Sequence, residues 1–365
     1  MKIRHLSLLN FRNYEKLDVE FSDTLNVIYG LNGSGKTNLV EAIYMLALTK
    51  SFRISKEKVL IKKGKIKTKI RGDVFKKDDL SKYEIELTNE GKKILVNEQM
   101  VDKLSNYISR INIVLFSPDD IKLINEAPAE RRKFVNIEIS QLYREYLVLL
   151  NNYNKILKQR NFYLRSMYVN NLRDFDFLNI LTNKLVEYGL LICKYRKEFI
   201  EGINKYITDY YKDIFGYGDL KVKYSSSFKN KDKEELVKRY QSFYQQELNL
   251  GKTLEGIHHD DIVFMLDSNL LKEWGSEGQR KNAVIAFKLA LIQLINEIKG
   301  DFPILILDDL FSELDREKIK NLLNLLDKEV QTFITCTDIK SVNKKYFQNG
   351  KKFKICNGIL EEERK

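Results

Sequence analysis

Residues Gly30-Leu31-Asn32-Gly33-Ser34-Gly35-Lys36-Thr37 follow the spacing GxxxxGK[ST], and the chemistry of that pattern is the grip of a polyphosphate. Glycines let consecutive backbone N–H groups wrap a β-phosphate, and the helix that follows adds its positive N-terminal end. In such a loop Lys36 reaches the β- and γ-phosphates, and the Thr37 hydroxyl sits on Mg²⁺. Far along the chain, the apolar run Ile304–Leu307 ends in two carboxylates, Asp308 and Asp309. The C-terminal ends of such strands are where open α/β sheets bind ligands. Asp308 is therefore expected to hold Mg²⁺, commonly through water, and Asp309 to orient or deprotonate an attacking water. Ser312-Glu313-Leu314-Asp315 follows, and Asp315 joins the catalytic candidates. Ser276-Glu277-Gly278-Gln279-Arg280 precedes that strand and opens an apolar helix. A Ser and a Gly there first of all make a good cap. Set between a phosphate loop and an Asp-Asp strand, Ser276 and Gln279 also become candidate site residues.

These residues need elements to hold them. The run Leu25–Tyr29 reads as a short buried strand before the glycine loop, and Asn38–Leu48 has helical spacing after it. Lys65–Arg71 alternates strictly, and Tyr83–Leu87 with Ile94–Val96 reads as a hairpin turning at Asn89-Glu90-Gly91. Residues 126–251 differ. Apolar and aromatic side chains recur there at helical spacing from Phe134 through Tyr146 to Ile156, which predicts a long helix from about Pro128 and further helices to about Glu247. Beyond 252 the pattern is α/β again, with a strand near Ile262–Leu266, a helix over Gln279–Ile298, strands at Pro303–Leu307 and Thr332–Thr335, and a helix over Glu317–Leu326. The α/β pieces at the two ends need each other to complete a sheet. The expected organisation is a head from residues 1–125 and 252–365, with a helical insertion over 126–251.

The chain has 365 residues, 63 Lys+Arg against 51 Asp+Glu, a net charge of +12 and a pI near 9.2. A polyanion partner fits that balance, but charge alone does not separate DNA, RNA and an anionic membrane. Between Lys50 and Arg71 there are ten basic residues and one acidic, Glu57. Lys65, Lys67, Lys69 and Arg71 form one face with no counter-ion of their own, the first candidate DNA surface; a lysine-protected edge strand is the competing reading. Arg131 and Arg132 are the second, with a helix-start salt-bridge cluster as the competing reading. With no recognition helix in evidence, contact is expected through phosphates. Three scattered cysteines, no leader-like segment and no membrane-spanning run point to a cytoplasmic protein.

The stretches NGSGKTNLVEAIY, PAERRKF, SEGQR and LILDDLFSELD, with LLNFRNY near the start and ITCTD near the end, closely resemble the RecF family of the SMC/Rad50 branch of ABC ATPases. The resemblance covers nearly the whole chain. It implies an ABC-type P-loop ATPase head with a helical second lobe. It also implies ATP-dependent dimerisation, each ATP lying between a P-loop and the opposing Ser276 segment. Binding of double-stranded DNA, RecR as partner and help in RecA loading at gaps are further implications. Some positions depart from pattern. The family's GPHRDD reads Gly256-Ile257-His258-His259-Asp260-Asp261, so His259 replaces an Arg. Adjacent histidines on a strand would face opposite ways, which argues against a metal site. Asp119 and Asp120 are the candidates nearest a transporter's Q-loop, and Thr335-Cys336-Thr337-Asp338 stands where transporters carry a switch His. Asp309 in place of a Glu suggests slow turnover. A transporter ATPase subunit is the competing reading, and it has no need of the basic stripe or the helical insertion.

Overall fold

The computed structural model describes residues 1–77, 79–170, 174–310, 316–326, 328–339, 350–356 and 358–362. Two compact units divide the chain: 1–120, 209–217 and 285–365 form the first, and 121–208 with 218–284 form the second.

The first unit holds two six-stranded sheets. One is antiparallel, in the order Tyr14–Glu20, Lys2–Phe11, Lys67–Lys76, Asp79–Thr88, Lys92–Val96, Gln99–Met100. The other runs Ile359–Glu362, Lys351–Cys356, Leu25–Tyr29, Thr332–Cys336, Ile304–Asp308, Ile113–Phe116, parallel except for the terminal hairpin. Ile304–Asp308, Thr332–Cys336 and Ile113–Phe116 are buried at every residue, which explains the continuous apolar runs Ile304–Leu307 and Ile113–Phe116 where a one-sided sheet would alternate. The helix Lys36–Leu48 packs against strands of both sheets. It buries Leu39, Val40, Ala42, Ile43, Met45, Leu46 and Ala47, and a helix apolar on all sides must be covered on all sides. On the strand beside it Gly72 leaves room for Leu46, with which a Cβ would collide.

The second unit combines the helices Pro128–Leu142, Arg144–Val169, Phe175–Asn204 and Lys233–Leu250 with a three-stranded sheet. The single helix expected from Pro128 is two, broken at Tyr143 (φ −130°, ψ 110°), whose ring lies 5.0 Å from Tyr195. Leu220–Ser225, expected as helix, is a strand paired with Asp261–Leu266. That pairing draws residues 252–284 into the second unit, further along the chain than the 126–251 span. Two buried ion pairs tie the unit together. Arg160 bonds Glu247 (2.6 Å), Thr253 and Thr182, and Arg196 bonds Asp260 (2.7 Å) and the Ile257 carbonyl. Among the described residues no helix is long and apolar enough to cross a membrane.

Candidate nucleotide site

The glycine loop leaves the end of Leu25–Tyr29 and is clamped from two directions. Gly30 faces the Ile355 carbonyl of the C-terminal hairpin, with which any Cβ would collide. Gly35, at φ +118°, is crowded by Asn13 and Tyr14 from the first hairpin. The loop's outward carbonyls are occupied as well. Asn13 Nδ2 and the Gly358 amide both donate to the Ser34 oxygen at 3.0 Å, and the Tyr14 hydroxyl donates to the Gly35 oxygen at 2.9 Å. These bonds hold the Ser34 and Gly35 carbonyls and fix the end of the loop where the helix begins. The Ser34 hydroxyl is buried with no hydrogen-bond partner among the described residues, as suits a loop built around a polar ligand.

Lys36 Nζ donates to the carbonyls of Gly30 (2.8 Å) and Leu31 (2.9 Å). Burial draws its ammonium below the ordinary lysine value, while the charges of Asp309, Cys336 and Asp308 pull the other way. The Thr37 hydroxyl donates to Asp308 Oδ1 at 3.1 Å, joining residues 271 positions apart. Burial raises the Asp308 carboxyl, and the Thr335 and Thr37 hydroxyls and the Arg53 charge oppose it. Thr37 and Asp308 offer hard oxygen atoms of the kind Mg²⁺ prefers, so the donor set would fit that ion. Asp309 follows in left-handed backbone (φ +54°), its amide donating to Thr335 Oγ1 at 2.9 Å. Asp315 lies outside the described residues.

In the second unit, Ser276 and Gln279 bond each other. The Gln279 amide donates to Ser276 Oγ (3.2 Å), and the Ser276 amide donates to Gln279 Oε1 (2.8 Å), a capping box opening the helix Glu277–Lys299.

The structure revises the basic surface. Lys69 is salt-bridged to Glu84 and Glu86, and Arg71 to Glu84, all from the neighbouring strand, so the stripe has its counter-ions across the sheet. Lys65 pairs with Glu15. Lys67 is exposed, as are Lys50, Arg53, Lys56, Lys58 and Lys63 in the preceding segment. Arg131 is 5% exposed and bonds Asp261 in bidentate fashion (2.7 and 2.8 Å), while Arg132 donates to the Asp260 carbonyl. Arg131 is thus buried in the framework, and Arg132 is half-buried. Asp120, a Q-loop candidate, pairs with Lys288 at 2.5 Å. His258 and His259 sit in a turn with ring centroids 4.2 Å apart, not on opposite faces of a strand. Sequence reasoning left out Asn13, Tyr14, Ile355 and Gly358 as supports of the loop. Only the LLNFRNY likeness pointed towards two of them.

A family model described as the RecF/RecN/SMC N terminal domain matches residues 2–354. A DNA replication and repair protein RecF of Oceanobacillus iheyensis is 35% identical over 368 residues, covering 99% of this chain and 100% of that one. Its counterpart in Listeria innocua is 37% identical over 369 residues, with 99% and 100% covered. The solved structure of a recombination mediator protein RecF with ATP, of the RecFOR pathway, aligns at TM-score 0.91 and 31% identity, covering 99% of this chain and 97% of that one. An Smc head bound to the C-winged helix domain of ScpA aligns at 0.58 and 16% identity, covering 100% and 98%, a likeness of fold alone. The fold is thus that of the ABC-type P-loop ATPase heads, α/β in class, with the head built from both chain ends and a helical lobe inserted. Within that class, the chain belongs to the RecF family.

Proposed function

We propose that the chain is an ATP-dependent DNA-binding protein of replication and recombinational repair, in which ATP binding drives a homodimer that clamps double-stranded DNA near gaps or junctions. The observation that carries this reading is the Thr37–Asp308 hydrogen bond at 3.1 Å, which joins the two halves of a Mg-nucleotide site across 271 residues. The RecF structures with ATP support the ligand's identity. In this reading Gly30, Leu31, Asn32, Gly33, Ser34 and Gly35 cradle the phosphates with Lys36, and Thr37 and Asp308 hold Mg²⁺. Bound Mg²⁺ neutralises charge on the β- and γ-phosphates. Asp309 holds the attacking water, Asp315 belongs with the catalytic set, and Ser276 and Gln279 meet the nucleotide of the partner copy. Hydrolysis is slow, because the Asp309 side chain is a methylene shorter than Glu, and it resets the clamp. RecR is the proposed partner, and RecA loading the proposed outcome.

The DNA surface is the segment carrying Lys50, Arg53, Lys56, Lys58, Lys63 and Lys67, with Lys65, Lys69 and Arg71 partly neutralised behind it. Phosphate contact makes binding steep in salt: four contacts predict roughly a hundredfold weaker binding between 50 and 200 mM. Anisotropy of a labelled duplex, with and without Mg-ATP at those two salt concentrations, is the test. Tight binding only with Mg-ATP and only at low salt is the expected result. Binding indifferent to nucleotide would remove the clamp.

A further inference from the structure

Thr335 lies on the central strand Thr332–Cys336, in register between Ile28 of the strand leading to the glycine loop and Asp308 of the carboxylate strand. Its side chain is 1% exposed, and its one hydroxyl makes two bonds. The hydroxyl donates to Asp308 Oδ1 at 2.7 Å and accepts the Asp309 amide at 2.9 Å. Thr37 donates to the same Oδ1. Two hydroxyls thus converge on one oxygen of Asp308 and restrain the rotation of its carboxylate. The bond to the Asp309 amide acts on a different problem. A β-carbon in left-handed backbone is unfavourable, and Asp309, at φ +54°, needs its amide anchored to stay there. A β-branched side chain is stiff about χ1, so threonine holds this two-way bridge with little freedom to lose.

We propose that Thr335 is a positioning residue of the nucleotide site, setting the carboxylate of Asp308 for Mg²⁺ and the backbone of Asp309 for the attacking water. The inference rests on the nucleotide reading above. Thr335 touches neither nucleotide nor ion; it acts through the two acids. Groups of this kind behind a metal ligand typically change metal affinity or activity by about 10- to 100-fold when removed.

Thr335→Val keeps the shape and removes the hydroxyl, whereas Thr335→Ser keeps the hydroxyl. Fluorescent ATP binding, measured against Mg²⁺ concentration and without Mg²⁺, separates ion positioning from phosphate grip. The expected result for Thr335→Val is metal-free nucleotide affinity near that of the unmodified protein, about tenfold or more Mg²⁺ needed for half-maximal tightening, and kcat about tenfold or more lower. Thr335→Ser stays close to the unmodified protein in all three. The proposal is overturned if Thr335→Val keeps its Mg²⁺ dependence and kcat, or if Thr335→Ser is impaired as much as Thr335→Val, which would make the role one of packing. If Thr335→Val does not fold, Thr335→Cys, with a weak donor in nearly the same volume, carries the same expectation. Failure of the unmodified protein to bind ATP would instead remove the nucleotide reading itself.

Discussion

Lys36 Nζ is bonded to the carbonyls of Gly30 and Leu31, two groups of its own loop. Its ammonium is therefore pre-placed inside the loop and buried, and a phosphate would meet a cation already largely stripped of water. Charge-assisted hydrogen bonds of that kind are worth about 1.5–3 kcal/mol each. Lys36→Ala should weaken ATP binding by roughly 10- to 100-fold while leaving the fold intact, as titration calorimetry with ATP would register; unchanged affinity would exclude the loop as the site. Residue identity alone does not assign such roles. Arg131 and Lys67 are both cations in basic stretches, yet one is a buried bidentate partner of Asp261 and the other lies exposed on a strand. The difference lies in what each folded neighbourhood supplies: a carboxylate from the strand Asp261–Leu266 for Arg131, open solvent for Lys67.

At the scale of elements, the glycine loop owes its shape to two hairpins distant in sequence, one bringing Asn13 and Tyr14, the other Ile355 and Gly358. The turn from Gly256 to Asp260 is a second case of tertiary control. His258 shares a 2.7 Å hydrogen bond with the Tyr153 hydroxyl, and burial, then the charge of His259, pushes it down to about 4. The sign follows directly. Between the ordinary value of 6.5 and about 4, the unfolded chain binds a proton at this site that the folded chain does not. Stability from His258 is therefore fully present above 6.5 and falls as pH drops towards 4, by roughly 3 kcal/mol at most. Urea unfolding at pH 7, 5.5 and 4.5 measures that slope, and His258→Gln should flatten it. A slope equal in variant and parent would place the proton elsewhere. Periodicity misread this lobe in two places for physical reasons. The 3.6-residue pattern runs on through Tyr143, where no Gly or Pro marks the break, and Leu220–Ser225 alternates at period two inside a stretch otherwise helical.

At the scale of the whole molecule, the proposed dimer has a built-in reporter. Trp274 is the only tryptophan of the chain, 77% exposed and two residues before Ser276. Mg-ATP should blue-shift its emission in proportion to dimer formed, followed in parallel by sedimentation. Ser276→Arg should abolish both the dimer and the shift, because a long cation replaces the small cap at the surface a partner would cover. Nucleotide affinity of the monomer should change by no more than about twofold, as for an exposed substitution outside the loop that grips the nucleotide. Dimers that persist in Ser276→Arg would show that the partner copy does not use this segment.

The amino-acid sequence alone encodes the P-loop, the carboxylate strand, the Ser276 cap and the family, because each is a local pattern whose chemistry requires fixed residue types at fixed spacing. It also determined that the two α/β ends complete one sheet, since neither half can bury its apolar strands alone. The tertiary structure alone decided which cations are available. Glu84 and Glu86 lie across the sheet from Lys69 and Arg71, and Asp261 reaches Arg131 over 130 residues. It alone brought Thr335 to Asp308 and Gly358 to Ser34. Those contacts are set by strand order and register, and strand order depends on the packing of the whole sheet, which no local spacing encodes.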